Sequence, residues 1–161
     1  MIHLRFRGLA TALVLINIAV SGCGGDGTAP PLSQVSGIVK LDGAPLAKAS
    51  VTFQPVGKGR PSFGITDENG RYTLKFSERA TGAIYGRHQV QISTWQEGYD
   101  NKGSWIPSVP ERVPAKYNEG AKDSPEMARD VAGRNLTIDF SLDSNAGPIT
   151  QRYEPSPART Q

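Results

Sequence analysis

Residues 63–76 read Phe63-Gly64-Ile65-Thr66-Asp67-Glu68-Asn69-Gly70-Arg71-Tyr72-Thr73-Leu74-Lys75-Phe76. Phe63 and Ile65 share one parity before a polar tetrad, and Tyr72, Leu74 and Phe76 share one after it. A period of two is the spacing of a strand with one face buried. In the tetrad, Asp67 can cap its own turn, while Asn69 or Gly70 takes the left-handed conformation that reverses the chain. The stretch is therefore strand, turn, strand.

The same alternation extends in both directions. Val35, Val39 and Leu41 lie on one face of one segment, and Val51 and Phe53 on one face of the next. Val90 and Ile92 mark a further segment, and Leu136, Ile138, Phe140 and Leu142 the last. Ser124 to Val131 is ambiguous, since Met127 and Val131 could form a helical face; it is read as a seventh, irregular strand. Past residue 23, no window of ten or more residues keeps helical spacing. Asp42-Gly43 is a second hairpin signal, and Pro45 and Pro55 mark strand ends or edges, because proline cannot donate to a ladder. Seven short strands separated by such turns predict an all-β, seven-stranded antiparallel sandwich of two sheets. The inward set expected is Val39, Leu41, Val51, Phe53, Ile65, Tyr72, Leu74, Val90, Ile92, Ile138 and Phe140.

Taken in order, these segments resemble the carboxypeptidase regulatory-like domains. Val35-Ser36-Gly37-Ile38-Val39, Asp42-Gly43-Ala44-Pro45-Leu46 and Ala49-Ser50-Val51-Thr52-Phe53 are similar to that family's opening. Thr66 to Leu74 is similar to its most recognisable turn, and Gly82-Ala83, Gly86 and Val90-Gln91-Ile92 to its next strand, with His88 where an aromatic residue is usual. Val113 to Asn118 resembles a segment common in small lipid-anchored members, and Asn135 to Leu142 the closing strand. The resemblance covers residues 34–142. It implies a prealbumin-like (transthyretin-like) sandwich that is not itself catalytic.

The amino terminus bears on location. His3, Arg5 and Arg7 precede an apolar run, Leu9 to Val20, of about a dozen residues. That length suits a secretory leader and falls short of the roughly 20 residues a membrane span needs. Val20-Ser21-Gly22-Cys23 then resembles the lipobox of bacterial lipoproteins, with Cys23, the one cysteine of the chain, as the lipidated first residue of the mature protein. Residues 1–22 are expected to be the leader. Residues 23–33, rich in glycine and proline, form a flexible linker that would hold the domain about 15–20 Å from its anchor. Residues 143–161 are expected to be an unstructured, proline-rich tail. The protein would then sit on the exported face of the cell membrane or outer membrane, and the lipid on Cys23 would attach it, since several acyl chains hold where one is marginal.

Removing Arg5 and Arg7 from the 18 basic residues leaves a net charge of +1 against 15 acids. That balance provides no electrostatic footprint for nucleic acid. With a single cysteine, the core must carry the fold without a disulfide.

Catalytic chemistry is hard to assemble, and no enzyme, metal or cofactor is expected. His88 is the one histidine past the leader, so no zinc-binding histidine pair exists. It is read as a strand residue facing solvent or half-packed; as the base of a hydrolase it would be a remote option. The related hydroxyisourate hydrolases resemble a histidine and arginine cluster completed by Tyr-Arg-Gly-Ser, whereas this chain ends Ala158-Arg159-Thr160-Gln161. Asp67-Xaa-Asn69-Gly70 resembles part of a calcium loop, but Phe76 stands where the closing glutamate would be. The region from Trp95 to Tyr117 is long for a sandwich connection and holds Trp95, Tyr99, Trp105 and Tyr117. Flat rings stack on sugar faces or anchor a protein partner, because they bury much area with few torsions to freeze. Trp95, Tyr99 and Trp105 are thus the candidate binding residues of a non-catalytic envelope module for surface carbohydrate or an envelope protein. The alternatives are core or edge packing of these rings in an assembly lipoprotein that acts through strand-edge pairing.

Overall fold

The computed structural model describes residues 30–152. Cys23, the expected leader, most of the linker and residues 153–161 lie outside the described residues. The strands are β1 (Leu32–Leu41), β2 (Ala44–Pro45), β3 (Ser50–Pro55), β4 (Ser62–Ile65), β5 (Arg71–Thr73), β6 (Lys75–Ser77) and β7 (Ala80–Thr81). They continue with β8 (Ala83–Ile84), β9 (Gly86–Ser93), β10 (Tyr99–Asn101), β11 (Ser104–Ile106), β12 (Ala128–Val131), β13 (Asn135–Thr137) and β14 (Phe140–Leu142).

One sheet is built on β1, which pairs with β2, β5, β8, β13 and β14. The other has the order β12-β9-β3-β4-β6-β7 and is antiparallel throughout. The fold is the all-β sandwich that alternation predicts. Its seven patterned segments become β1, β3, β4, β5 with β6, β9, β12, and β13 with β14. One pairing departs from the antiparallel expectation: β13 and β14 run parallel to β1. The chain enters them from the opposite sheet through residues 132–134, so no hairpin fixes their direction. Ser124 to Val131 divides, with a 3₁₀ turn at Pro125–Met127 and strand only from Ala128.

Between the sheets, rings meet. Phe53 lies 6.5 Å from Tyr72, 6.3 Å from Phe140 and 5.9 Å from His88, centroid to centroid. The chain from Arg71 to Ser77 crosses between sheets at Leu74, with β5 on β1 and β6 on β4. Within the β1 sheet, the Tyr72 hydroxyl donates to the Ile138 carbonyl, between β13 and β14, at 2.6 Å. That carbonyl sits so close to β1 that a side-chain carbon on Gly37 would lie 1.9 Å from it. Glycine is required there for proximity.

Several inward assignments change. Ile65 is 70 % exposed and Phe63 48 % exposed, so β4 turns its large residues out. In an antiparallel pair, residues directly opposite share a face, and Ser50 faces Ile65 while Thr52 faces Phe63. The inward positions of β4 are Ser62 and Gly64, with Tyr72 pressed against Gly64. A one-residue change of parity exchanges every side chain between faces. Leu41 and Ile138 are only half-buried. His88, expected to face solvent or to be half-packed, is instead wholly buried, because it shares parity with Val90 and Ile92. The first described strand begins at Leu32, and the expected tail is packed at its start. Ser144 N donates to Asp42 Oδ1 at 2.9 Å, Ala115 N donates to the Pro148 carbonyl at 2.8 Å, and Ala146 packs on the core. These contacts satisfy backbone groups that would otherwise lack partners.

Burial pushes the His88 imidazole below its ordinary pKa of 6.5, and its Nδ1 contact of 3.0 Å with the Gly86 carbonyl only partly opposes this. A histidine buried neutral stabilises the fold in full above its unfolded pKa, and that contribution is lost as pH falls below about 6.5 towards the depressed folded value. Urea melts are therefore expected to weaken between neutral pH and pH near 5, whereas His88→Leu should flatten that slope. An unchanged slope in the variant would refute the assignment.

Candidate functional site

Alternation on β3 and β9 puts Val51, Phe53, Val90 and Ile92 inside and leaves a polar row outside. Ser50 stands opposite Ser93, and Thr52 opposite Gln91. These four side chains line one wall of a cleft of about 420 Å³. Trp95, two residues past Ser93, closes one end, and Asn118 and Glu119 face it from the 3₁₀ turns that follow Pro114. Arg152 completes the lining: its guanidinium carbon stands 4.6 Å from the Trp95 ring centroid and its Nε 3.5 Å from Glu119 Oε1. Hydroxyls, two amides, a carboxylate, a guanidinium and an indole thus share one recess.

A buried carboxylate holds this arrangement in place. Glu111 Oε1 accepts from Thr94 N and Thr94 Oγ1, both at 2.9 Å, and from Arg112 N and Val113 N, both at 3.0 Å. Its other oxygen accepts from the Ser93 hydroxyl. The Glu111 backbone is gripped by Gln151, whose Oε1 accepts from Glu111 N at 3.0 Å and whose Nε2 donates to the Glu111 carbonyl at 2.8 Å. One residue therefore ties the end of β9, the return of the long loop and the segment that brings Arg152 to Trp95. Burial alone would push the Glu111 carboxyl up, but the donors from Ser93, Thr94 and Val113 together outweigh it and hold the group below the ordinary carboxylate range. Nothing local in the sequence marks Glu111; its partners come from three separate stretches.

Beyond this anchor, Gln96 and Val109 exchange two backbone hydrogen bonds, at 3.2 and 3.0 Å. The loop they close carries the β10–β11 ribbon, turned at Lys102 (φ 52°) and Gly103 (φ 89°), the two positive angles of a tight hairpin. Tyr99 opposes Ile106, whereas Trp105 opposes Asp100. Tyr99, 58 % exposed, and Trp105, 39 % exposed, therefore occupy opposite faces of the ribbon. The three aromatic candidates do not form one platform: Trp95 belongs to the cleft, and the other two to the ribbon.

The remaining sequence candidates sit elsewhere. Asp67 Oδ1 accepts from Asn69 N at 2.9 Å and Arg71 N at 2.8 Å, the turn-capping role read from the sequence. His88 shares no hydrogen bond with a hydroxyl or an acid among the described residues; its Nε2 has no partner.

No family model matches the chain, and no curated protein sequence does. Among solved structures, the chain is similar to a DUF3823 family protein from Parabacteroides merdae, with a TM-score of 0.36 and 15 % identity, over 70 % of this chain and 46 % of that one. It is also similar to a 9R-lipoxygenase from Cyanothece, with a TM-score of 0.40 and 10 % identity, over 70 % of this chain and 16 % of that one. The chain spans less than half the length of either.

Replacing Glu111 with Ala removes the acceptor from the backbone N–H groups of Thr94, Arg112 and Val113. Leaving buried N–H groups unpaired costs about 1–3 kcal/mol. Glu111→Ala is expected to lower unfolding free energy by that order or more and to speed amide exchange at Thr94 and Val113. Wild-type exchange rates at both positions would contradict the anchoring role.

Proposed function

We propose that this protein is a non-catalytic, lipid-anchored binding module of the cell envelope that takes carbohydrate in the Trp95 cleft. The anchor is Cys23 and the domain is of the carboxypeptidase regulatory-like, prealbumin type; both readings come from the sequence resemblances. The observation that carries the binding reading is the Trp95 ring at the end of the Ser50–Ser93 and Thr52–Gln91 pairs. Sugars present apolar faces edged with hydroxyls, so an indole beside short polar side chains complements both. Arg152 is fixed by Glu119 through Nε, and its terminal nitrogens make no other hydrogen bond among the described residues, which leaves donors for ligand hydroxyls.

A second reading has its own observation. Tyr99, Trp105, Ile106 and Val109 are all exposed on or beside the ribbon, and an apolar hairpin of this kind suits an envelope protein partner.

The test is a pull-down of the mature chain bearing Cys23→Ser on fractionated envelope polysaccharide and envelope proteins. Retention on polysaccharide is expected, weakened about tenfold or more by Trp95→Ala or Arg152→Ala and unaffected by Trp105→Ala. Retention of a protein that only Trp105→Ala or Tyr99→Ala abolishes would replace the carbohydrate reading with the second one. For the anchor, labelling of the wild type with radioactive palmitate, absent in Cys23→Ser, is expected; equal membrane association of both forms without label would remove it.

A further inference from the structure

The outer face that carries the cleft does not end at β3. Across the sheet, Gln91 opposes Thr52, Thr52 opposes Phe63, and Phe63 opposes Lys75. One row along, Ser93 opposes Ser50 and Ser50 opposes Ile65. Directly opposed residues lie on one face, so the hydroxyl and amide half on β9 and β3 is continuous with a second half on β4 and β6, beside which β5 of the other sheet adjoins β4. Its character differs. A groove of about 750 Å³ there is lined by Phe63, Ile65 and Phe76, with Arg60, Arg71 and Lys75 around them.

The charges of this second half are largely uncommitted. Among the described residues, Arg60, Arg71 and Lys75 make no ion pair; Arg60 stands over the Phe76 ring at 5.3 Å. Of the two acids in the lining, Asp67 spends an oxygen on two backbone N–H groups of its own turn, and Glu78 is the other. Three cations around exposed aromatic and aliphatic side chains complement a ligand that is apolar in one part and anionic in another.

We infer that the outer face of this sheet, with the adjoining edge of β5, reads an anionic glycolipid, with the sugar in the Trp95 cleft, acyl chain against Phe63 and Ile65, and phosphate or carboxylate groups near Arg71 and Lys75. The inference rests on the carbohydrate reading of the cleft and names its ligand class. The order of chemistries along the rows, polar and then cationic and apolar, is the order in which such a molecule passes from its glycan to its lipid. A free polysaccharide would leave the apolar half unused, and a plain phospholipid would leave the polar half unused.

The experiment uses the mature chain with Cys23→Ser, so that its own lipid does not contribute. Three probes are compared: phosphatidylcholine vesicles carrying lipid A, a phosphorylated and acylated disaccharide; the same vesicles carrying phosphatidylglycerol; and soluble deacylated lipid A. Binding to lipid A vesicles is expected to exceed binding to the deacylated sugar by about tenfold or more. Phe63→Ser with Ile65→Ser should remove that excess while leaving binding of the deacylated sugar unchanged. Both substitutions lie on the exposed face, and a circular dichroism melt verifies that the variant folds. Equal binding of acylated and deacylated probes, both sensitive to Trp95→Ala, would overturn the glycolipid inference and leave the carbohydrate reading standing. Equal binding to phosphatidylglycerol and lipid A, insensitive to Trp95→Ala, would overturn both. Failure to bind any probe would overturn the glycolipid inference.

Discussion

Four rings fill the space between the two sheets, and the volume they take decides which residues of the neighbouring strands turn outward. Phe53, Tyr72, Phe140 and His88 lie within 6.5 Å of a neighbouring ring in that cluster. Interiors pack near crystal density, so large rings on one strand demand small residues on the strand facing them. On β4 those are Ser62 and Gly64, and the consequence is that Phe63 and Ile65 face solvent. An interior packing constraint thus places an apolar patch on the exterior, beside a polar cleft on the same sheet.

A second constraint acts at the end of β9. The connection from Thr94 to Val113 is long, and loop closure is entropically costly unless contacts repay it. Glu111 supplies those contacts through a carboxylate that accepts from Ser93, Thr94, Arg112 and Val113. Gln151 extends the same anchor to the C-terminal segment, which would otherwise have no reason to lie near Trp95. The cleft is therefore assembled from β3, β9, the 3₁₀ turns and residue 152, held by a carboxylate that itself faces away from bulk solvent.

Much of the fold was legible because alternation is a local signal. The turn at Asp67 to Gly70 and the inward rows of β1, β3 and β9 follow from residue spacing alone. Ile65 was misplaced because a strand with glycine on one parity and large residues on the other alternates equally well in either sense, and only its partner fixes which face is inside. Residue type points His88 to solvent or to half-burial, whereas its parity with Val90 and Ile92 points it inward. The parallel return of β13 and β14 along β1 depends on pairing over about a hundred residues, which no local pattern encodes. Of the cleft, Trp95 was legible as an unusual residue in a long loop. The Ser50, Thr52, Gln91 and Ser93 row is the complement of the core pattern, and Glu111 and Arg152 carry no signal, because the partners that place them, Ser93, Thr94 and Gln151 for the first and Trp95 and Glu119 for the second, are distant in sequence.

The central claim is that the outer face around Trp95 is the recognition surface of this domain. The most direct measurement is a map of backbone amide chemical shifts as envelope oligosaccharides are titrated into isotopically labelled protein. Saturable shifts are expected at Ser50, Thr52, Gln91, Ser93 and Glu119 and at the Trp95 indole N–H, with the β10–β11 ribbon unmoved. Shifts confined to residues 99–106, or none that saturate, would contradict it.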